Sequence, residues 1–227
     1  MNPVFPSILS TDFYDLHEKL QTFKKGGINF IHLDIMDGHF VDNLSFGPSI
    51  VKPVKKEFGF EIDSHLMVSN PEKIIPFFIK AGSDWISFHI EIEHETGKNI
   101  SLIKNSGKKA GLAINPDTDI SKLFPFLSKV DYVLLMSVFP GYGGQKFIEE
   151  SLNRSFRLKE KIKSENPDCL IQMDGGISAS NTGILRDKGV DLFVMGTSLY
   201  NSDNIEVEIK KILKTLEGEK NEKTFSN

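Results

Sequence analysis

Phe30-Ile31-His32-Leu33-Asp34-Ile35-Met36-Asp37-Gly38 is a short apolar run that stops at a turn, with a His and an Asp placed two residues apart inside it. Side chains alternate faces along a strand, so His32, Asp34 and Met36 share one face while Ile31, Leu33 and Ile35 share the other. An ionisable pair therefore points the same way as Met36, where an ordinary strand would carry Val or Ile. Similar runs recur along the chain. Strand signals fall at 4–9, 30–37, 61–68, 85–91, 110–115, 132–138, 170–174 and 192–195. Between and after them lie helical signals at 12–25, 48–58, 71–81, 99–105, 120–129, 148–164, 179–188 and 205–216. The first helical segment is typical: Phe13, Leu16, Leu20 and Phe23 recur at three- and four-residue intervals behind Asp12 as a cap. Gly26-Gly27, Gly82, Gly107 and Gly189 follow helix ends, where a left-handed residue is favoured.

Strand-then-helix units in this number predict an α/β fold: a (β/α)8 barrel over 1–216, with parallel strands inside and helices outside. A doubly wound open sheet shares the alternation, and the count favours the barrel. Residues 217–227 are polar and charged and are expected to form a disordered tail.

Composition narrows the function. The chain has 227 residues, enough for one substantial core, and a formal net charge of −4, which argues against a nucleic-acid surface. Cys169 is the one cysteine, so no intrachain disulfide forms, in keeping with a reducing compartment. No signal-peptide pattern opens the sequence, and no apolar stretch approaches membrane-spanning length. The expectation is a soluble, cytoplasmic protein without nucleic-acid or membrane partners.

In a barrel of this kind chemistry gathers at the carboxyl ends of the strands. His32 and Asp34 lie there on the second strand, His65 on the third and Asp174 on the seventh. Two imidazoles and two carboxylates make a complete divalent-metal set, suited to Zn, Fe, Mn or Co rather than Mg or Ca. Taken singly, each is better read as a hydrogen-bonded interior group; four on one mouth favour the metal, because burying several ionisable groups without a ligand is costly. Gly141-Tyr142-Gly143-Gly144, Gly175-Gly176 and Gly196-Thr197 follow the last three strands, where glycine lets backbone amides turn toward a phosphate. Met36, Met67 and Met136 end three different strands, as core filler or as a dry cover over a sugar. Asp37 reads as a turn residue that bonds loop amides or supports a ligand from behind. His89 ends the fourth strand and stays outside the catalytic set, since a structural hydrogen bond serves as well.

These motifs are specific. Pro6-Ser7-Ile8-Leu9-Ser10, His32-Leu33-Asp34-Ile35-Met36-Asp37-Gly38-His39-Phe40, His65-Leu66-Met67-Val68, Pro140-Gly141-Tyr142-Gly143-Gly144-Gln145-Lys146-Phe147 and Asp174-Gly175-Gly176-Ile177 occur in order. Through them, nearly the whole chain resembles the ribulose-phosphate 3-epimerase family. The resemblance implies a TIM barrel that binds a phosphorylated ketose and works as a homo-oligomer, with one divalent metal on His32, Asp34, His65 and Asp174. It also implies Asp34 as proton acceptor, Asp174 as proton donor, Ser7 and His65 as substrate contacts, and the glycine loops as the phosphate site. Three places depart from the family pattern: Phe139, Asp42, and Gly196-Thr197-Ser198-Leu199-Tyr200, the last looking like relatives that act on allulose 6-phosphate.

Inverting a carbon beside a ketone removes a proton on one face and returns one on the other, so two carboxylates on well-separated strands suit the task. A metal would stabilise the enediolate as a Lewis acid. The expected reaction interconverts D-ribulose 5-phosphate and D-xylulose 5-phosphate, in the pentose phosphate pathway. The alternatives are the same chemistry on D-allulose 6-phosphate and a non-catalytic sugar-phosphate-binding barrel. A related decarboxylase or aldolase would place a Lys within Asp34-Ile35-Met36-Asp37, which has none.

Overall fold

The computed structural model describes residues 2–92 and 95–223, with 218–223 by backbone alone. Eight strands alternate with helices: β1 (Val4–Pro6), α1 (Leu16–Lys25), β2 (Phe30–Met36), α2 (Val51–Phe58), β3 (Glu61–Met67), α3 (Pro71–Ala81), β4 (Trp85–His89) and α4 (Thr96–Asn105). Then come β5 (Lys109–Ile114), β6 (Tyr132–Met136), α5 (Glu150–Glu165), β7 (Leu170–Asp174), α6 (Thr182–Asp187), β8 (Leu192–Met195), α7 (Thr197–Tyr200) and α8 (Ile205–Lys223). The strands form one parallel sheet in the order β1-β8-β7-β6-β5-β4-β3-β2. A parallel bridge between Ser7 and His32 joins its two edges, closing the (β/α)8 TIM barrel.

Alternation sorts the side chains into two cores. Ile31, Leu33 and Ile35 of β2, Ile62 and Leu66 of β3, and Ile171 and Met173 of β7 pack outward under the helices. Each such buried aliphatic contributes about 1.5–3 kcal/mol. Phe5, Phe30, Trp85, Tyr132 and Leu192 pack together inside the barrel, at or near the starts of their strands. Phe5 stacks on Phe30 at 4.3 Å between ring centres, and Trp85 tilts against Tyr132 at 5.0 Å. This plug leaves the carboxyl-end interior to the polar residues.

Several boundaries differ from the sequence reading. The chain at 12–15 is a pair of turns rather than the first turn of α1: Asp12 accepts the Tyr14 amide at 2.9 Å, and the helix begins after Asp15. Phe13 is consequently 80% exposed and outside the apolar stripe, which is carried by Leu20 and Phe23. An Asx-type bond to the backbone two residues on competes with helix at that point. Segment Ile120–Lys129 is a 3-10 helix with Pro125 inside it, and proline's missing N–H and its ring disfavour the wider helix. Gly26 is right-handed, and Gly27 takes the left-handed turn at φ +90°. The short α7 was not foreseen, and α8 runs beyond Leu216 to Lys223. Residues 224–227, the end of the tail expected to be disordered, lie outside the described residues.

Candidate metal centre and substrate cavity

Register brings the polar residues together. β2 pairs with β3 so that Asp34 lies beside His65 and Met36 beside Met67, and β6 pairs with β7 so that Met136 lies beside Asp174. One ligand atom from each of His32, Asp34, His65 and Asp174 falls within 4.8 Å of the others. His32 Nε2 and His65 Nδ1 stand 3.4 and 3.5 Å from Asp34 Oδ1, and each stands 4.0 Å from Asp174 Oδ2. Both nitrogens are buried and have no hydrogen-bond partner among the described residues. Buried polar atoms are rarely left unpartnered, so two aimed at one point between two carboxylates fit a cation at that point. The separations also suit four donors about 2 Å from a common centre.

The outer atoms of the same residues are held. His32 Nδ1 lies 2.8 Å from Asp63 Oδ2; a carboxylate only accepts, so Nδ1 carries a proton, and Nε2 is the ring nitrogen turned to the cluster. Asp63 is fully buried and also accepts from Gln172 Nε2 at 2.7 Å and Tyr132 OH at 3.0 Å. Ser7 Oγ donates to Asp34 Oδ2 at 2.6 Å and accepts from the Leu9 amide, while Ser45 Oγ donates to the Asp34 carbonyl. Ser137 donates through both its amide and its hydroxyl to the Asp174 carbonyl, each at 2.8 Å, fixing the end of β7 to β6.

The two carboxylates are poised differently. Burial works against ionising Asp34, but the adjacent His32 and His65 outweigh it and hold its pKa well down. Burial and the charge of Asp34 push Asp174 up. Burial likewise opposes a charge on His32, but Asp34 and Asp63 raise its pKa, whereas His65 is lowered to about 4 by burial, with His89 and His32 adding to the effect. The cluster as a whole attracts positive charge, and a divalent cation among these atoms meets that demand.

Above the cluster opens a cavity of about 240 Å³, lined by Ser7, Asp34, Asp174, the three methionines and the glycine loops. It is small beside the ~300–1,000 Å³ of sites for drug-sized ligands. Gly141, Tyr142, Gly143 and Gly144 enter it from the loop after β6, Gly175 and Gly176 from β7, and Gly196 and Thr197 from β8. At Gly176 (φ +64°) a Cβ would lie 2.6 Å from the Phe147 amide nitrogen, so glycine alone allows this close approach. His32 and His65 sit beneath the lining, fully buried.

Some participants were missed from sequence. Asp63 is two residues before His65 on the same inward face, the spacing that flagged His32 and Asp34. Asn43 Nδ2 donates to the Gly141 carbonyl at 2.7 Å, and Tyr142 OH donates to the Asp42 carbonyl at 2.7 Å, clasping the β2 and β6 loops together. Only the backbone of Asp42 enters that clasp, and Phe139 likewise offers its carbonyl to Gln145. Neither family departure displaces a ligand of the cluster. Asp37 bonds loop amides as its turn position implies, accepting from the His39, Phe40 and Ser69 amides and the Ser69 hydroxyl.

The sequence model of the ribulose-phosphate 3 epimerase family matches residues 3–200. The chain belongs to this family. It is 43% identical to the ribulose-phosphate 3-epimerase of Aquifex aeolicus (strain VF5) over 212 residues, 93% of this chain and 96% of that one. It is 39% identical to the ribulose-phosphate 3-epimerase of Bacillus subtilis (strain 168), covering 93% and 98% of the two chains. With that of Escherichia coli (strain K12) it shares 37% identity over 95% of both. Among the described residues, no helix is long and apolar enough to cross a membrane.

Proposed function

We propose that this protein inverts C3 of a phosphorylated ketose, interconverting D-ribulose 5-phosphate and D-xylulose 5-phosphate in the pentose phosphate pathway. The observation that carries the reading is the pair of carboxylates, buried Asp34 and half-buried Asp174, meeting at one cation-attracting cluster beneath a small cavity. Asp34, held ionised, takes the proton from C3; Asp174, pushed toward its protonated form, returns one to the opposite face. Ser7 bonds the outer oxygen of Asp34 and keeps the carboxylate aimed into the cavity. His32, Asp34, His65 and Asp174 would hold a divalent ion, Zn, Fe, Mn or Co by donor type, which supplies Lewis-acid stabilisation of negative charge on the sugar oxygens. The loops at Gly141–Gly144, Gly175-Gly176 and Gly196-Thr197 would take the phosphate, and the methionines cover the apolar edge of the sugar.

The test is a substrate panel on metal-analysed protein in deuterium oxide. D-ribulose 5-phosphate should turn over with solvent deuterium appearing at C3. Product without deuterium would eliminate the two-carboxylate scheme, and no turnover by metal-loaded protein would support a binding barrel. D-allulose 6-phosphate, suggested by Thr197-Ser198-Leu199-Tyr200, belongs in the same panel; faster turnover than the pentulose would reassign the substrate. This reading also takes the protein as cytoplasmic and as a homo-oligomer, for which exposed Phe13, Tyr14 and Phe77 offer apolar surface. Light scattering that returns a monomer mass would remove the oligomer.

A further inference from the structure

His65 is held from behind by a chain of residues outside the five motifs quoted above. β3 and β4 pair with His65 beside Ser87, so His89, two residues on and facing the same way, is its diagonal neighbour. His65 Nε2 and His89 Nε2 lie 2.8 Å apart, with the ring planes 28° from parallel and 5.0 Å between centres, a hydrogen bond between two imidazoles. His89 Nδ1 lies 3.0 Å from Glu91 Oε2, and Glu91 Oε1 accepts the Asn115 amide at 2.8 Å, which pins the carboxylate between the ends of β4 and β5. Phe40 packs over the His89 ring at 4.5 Å.

Donor and acceptor roles follow in order along the chain. Glu91 accepts, so His89 carries its proton on Nδ1, and its Nε2 offers a lone pair. His65 must then donate from Nε2, which leaves Nδ1 without a proton and facing Asp34 and Asp174. That nitrogen is the buried one without a partner among the described residues. His89 has both nitrogens engaged and is not itself placed as a ligand. We infer that Glu91 and His89 are positioning residues that fix the tautomer and ring angle of His65, so that Nδ1 meets the metal. The inference rests on the reading of His65 as a metal ligand. It parallels the direct Asp63 bond to His32, with an imidazole interposed because Glu91 lies one residue layer farther out.

The experiment is nitrogen-15 NMR of the histidine rings in metal-free protein, paired with zinc affinity measured by competition with a chelating dye. Wild-type His65 should carry its proton on Nε2 and show coupling across the hydrogen bond to His89 Nε2. His89→Leu and Glu91→Ala should weaken zinc binding 10- to 100-fold while far-UV circular dichroism is unchanged. His89→Gln, whose amide oxygen can accept the same N–H, should recover most of that loss. A wild-type His65 protonated on Nδ1 would overturn the inference without any variant, should His89→Leu fail to fold. Zinc affinity within twofold of wild type in both disruptive variants would also overturn it, as would His89→Gln binding as weakly as His89→Leu. Failure of sugar turnover would instead strike the functional reading, leaving the tautomer result to stand or fall alone.

Discussion

Asp63→Ala tests whether the interior polar layer is a fixed support for the metal site. Asp63 is fully buried and accepts three hydrogen bonds, from His32 Nδ1, Gln172 Nε2 and Tyr132 OH. Removing the carboxylate leaves three buried donors without an acceptor, at about 1–3 kcal/mol each, and partial relaxation brings the expected total to ~3–5 kcal/mol. At roughly 2–4 °C per kcal/mol for a chain of this size, the melting temperature should fall by on the order of 10 °C. Asp63→Asn provides the contrast. With the amide oxygen at the Oδ2 position, the bonds from His32 and Gln172 survive, and Tyr132 OH can reverse to accept from the amide nitrogen. The cost should be only about 1 kcal/mol. Urea unfolding of metal-free protein measures both, free of any metal contribution. A loss below 1 kcal/mol for Asp63→Ala, or equal losses for the two variants, would refute the three-acceptor account.

Asp34→Asn and Asp174→Asn should each lower kcat by at least about 100-fold, the usual scale of acid–base catalysis, with circular dichroism unchanged; substantial residual turnover in either removes its assigned role. Chelation should abolish turnover, and restoring metal at 100 times its Kd should recover it and add about 2.7 kcal/mol to stability; a melting temperature indifferent to metal would argue against the site. Asp37 has its pKa held at about 2, against 3.8 for an ordinary aspartate, because the Ser69, Phe40 and His39 amides and the Ser69 hydroxyl outweigh burial. A carboxyl lowered on folding stabilises above its unfolded pKa and loses that effect as pH falls through the folded one. The contribution is at most ~2.4 kcal/mol and nearer 1–2 after solvent screening, with roughly half gone by pH 3. The stability gap between wild type and Asp37→Asn in urea should therefore shrink from pH 6 to pH 3, and a constant gap would contradict this.

The strand pattern was legible because its period is local. The alternation of Phe30, His32, Asp34 and Met36 against Ile31, Leu33 and Ile35 needs no distant partner, and the structure keeps that division. Helix starts were less legible: Asp12 serves a turn instead of the α1 cap, because its side-chain bond to the Tyr14 amide competes with helix over the same residues. His89 was ambiguous for a similar reason. A lone strand-end histidine carries no mark of which nitrogen is engaged.

By itself the sequence determined the parallel α/β architecture, the inward faces, and the four residues able to hold a cation, since these depend on residue type and two-residue spacing. Tertiary structure decided what those residues meet. The pairing of β2 with β3 sets Asp34 beside His65, and barrel closure brings Asp174 of β7 to the same point. Hydrogen bonds across strands, Asp63 to His32 and Glu91 through His89 to His65, decide which nitrogen of each ring faces the centre. Register and closure are properties of the whole barrel, set by packing summed over all eight strands, and no local spacing encodes them.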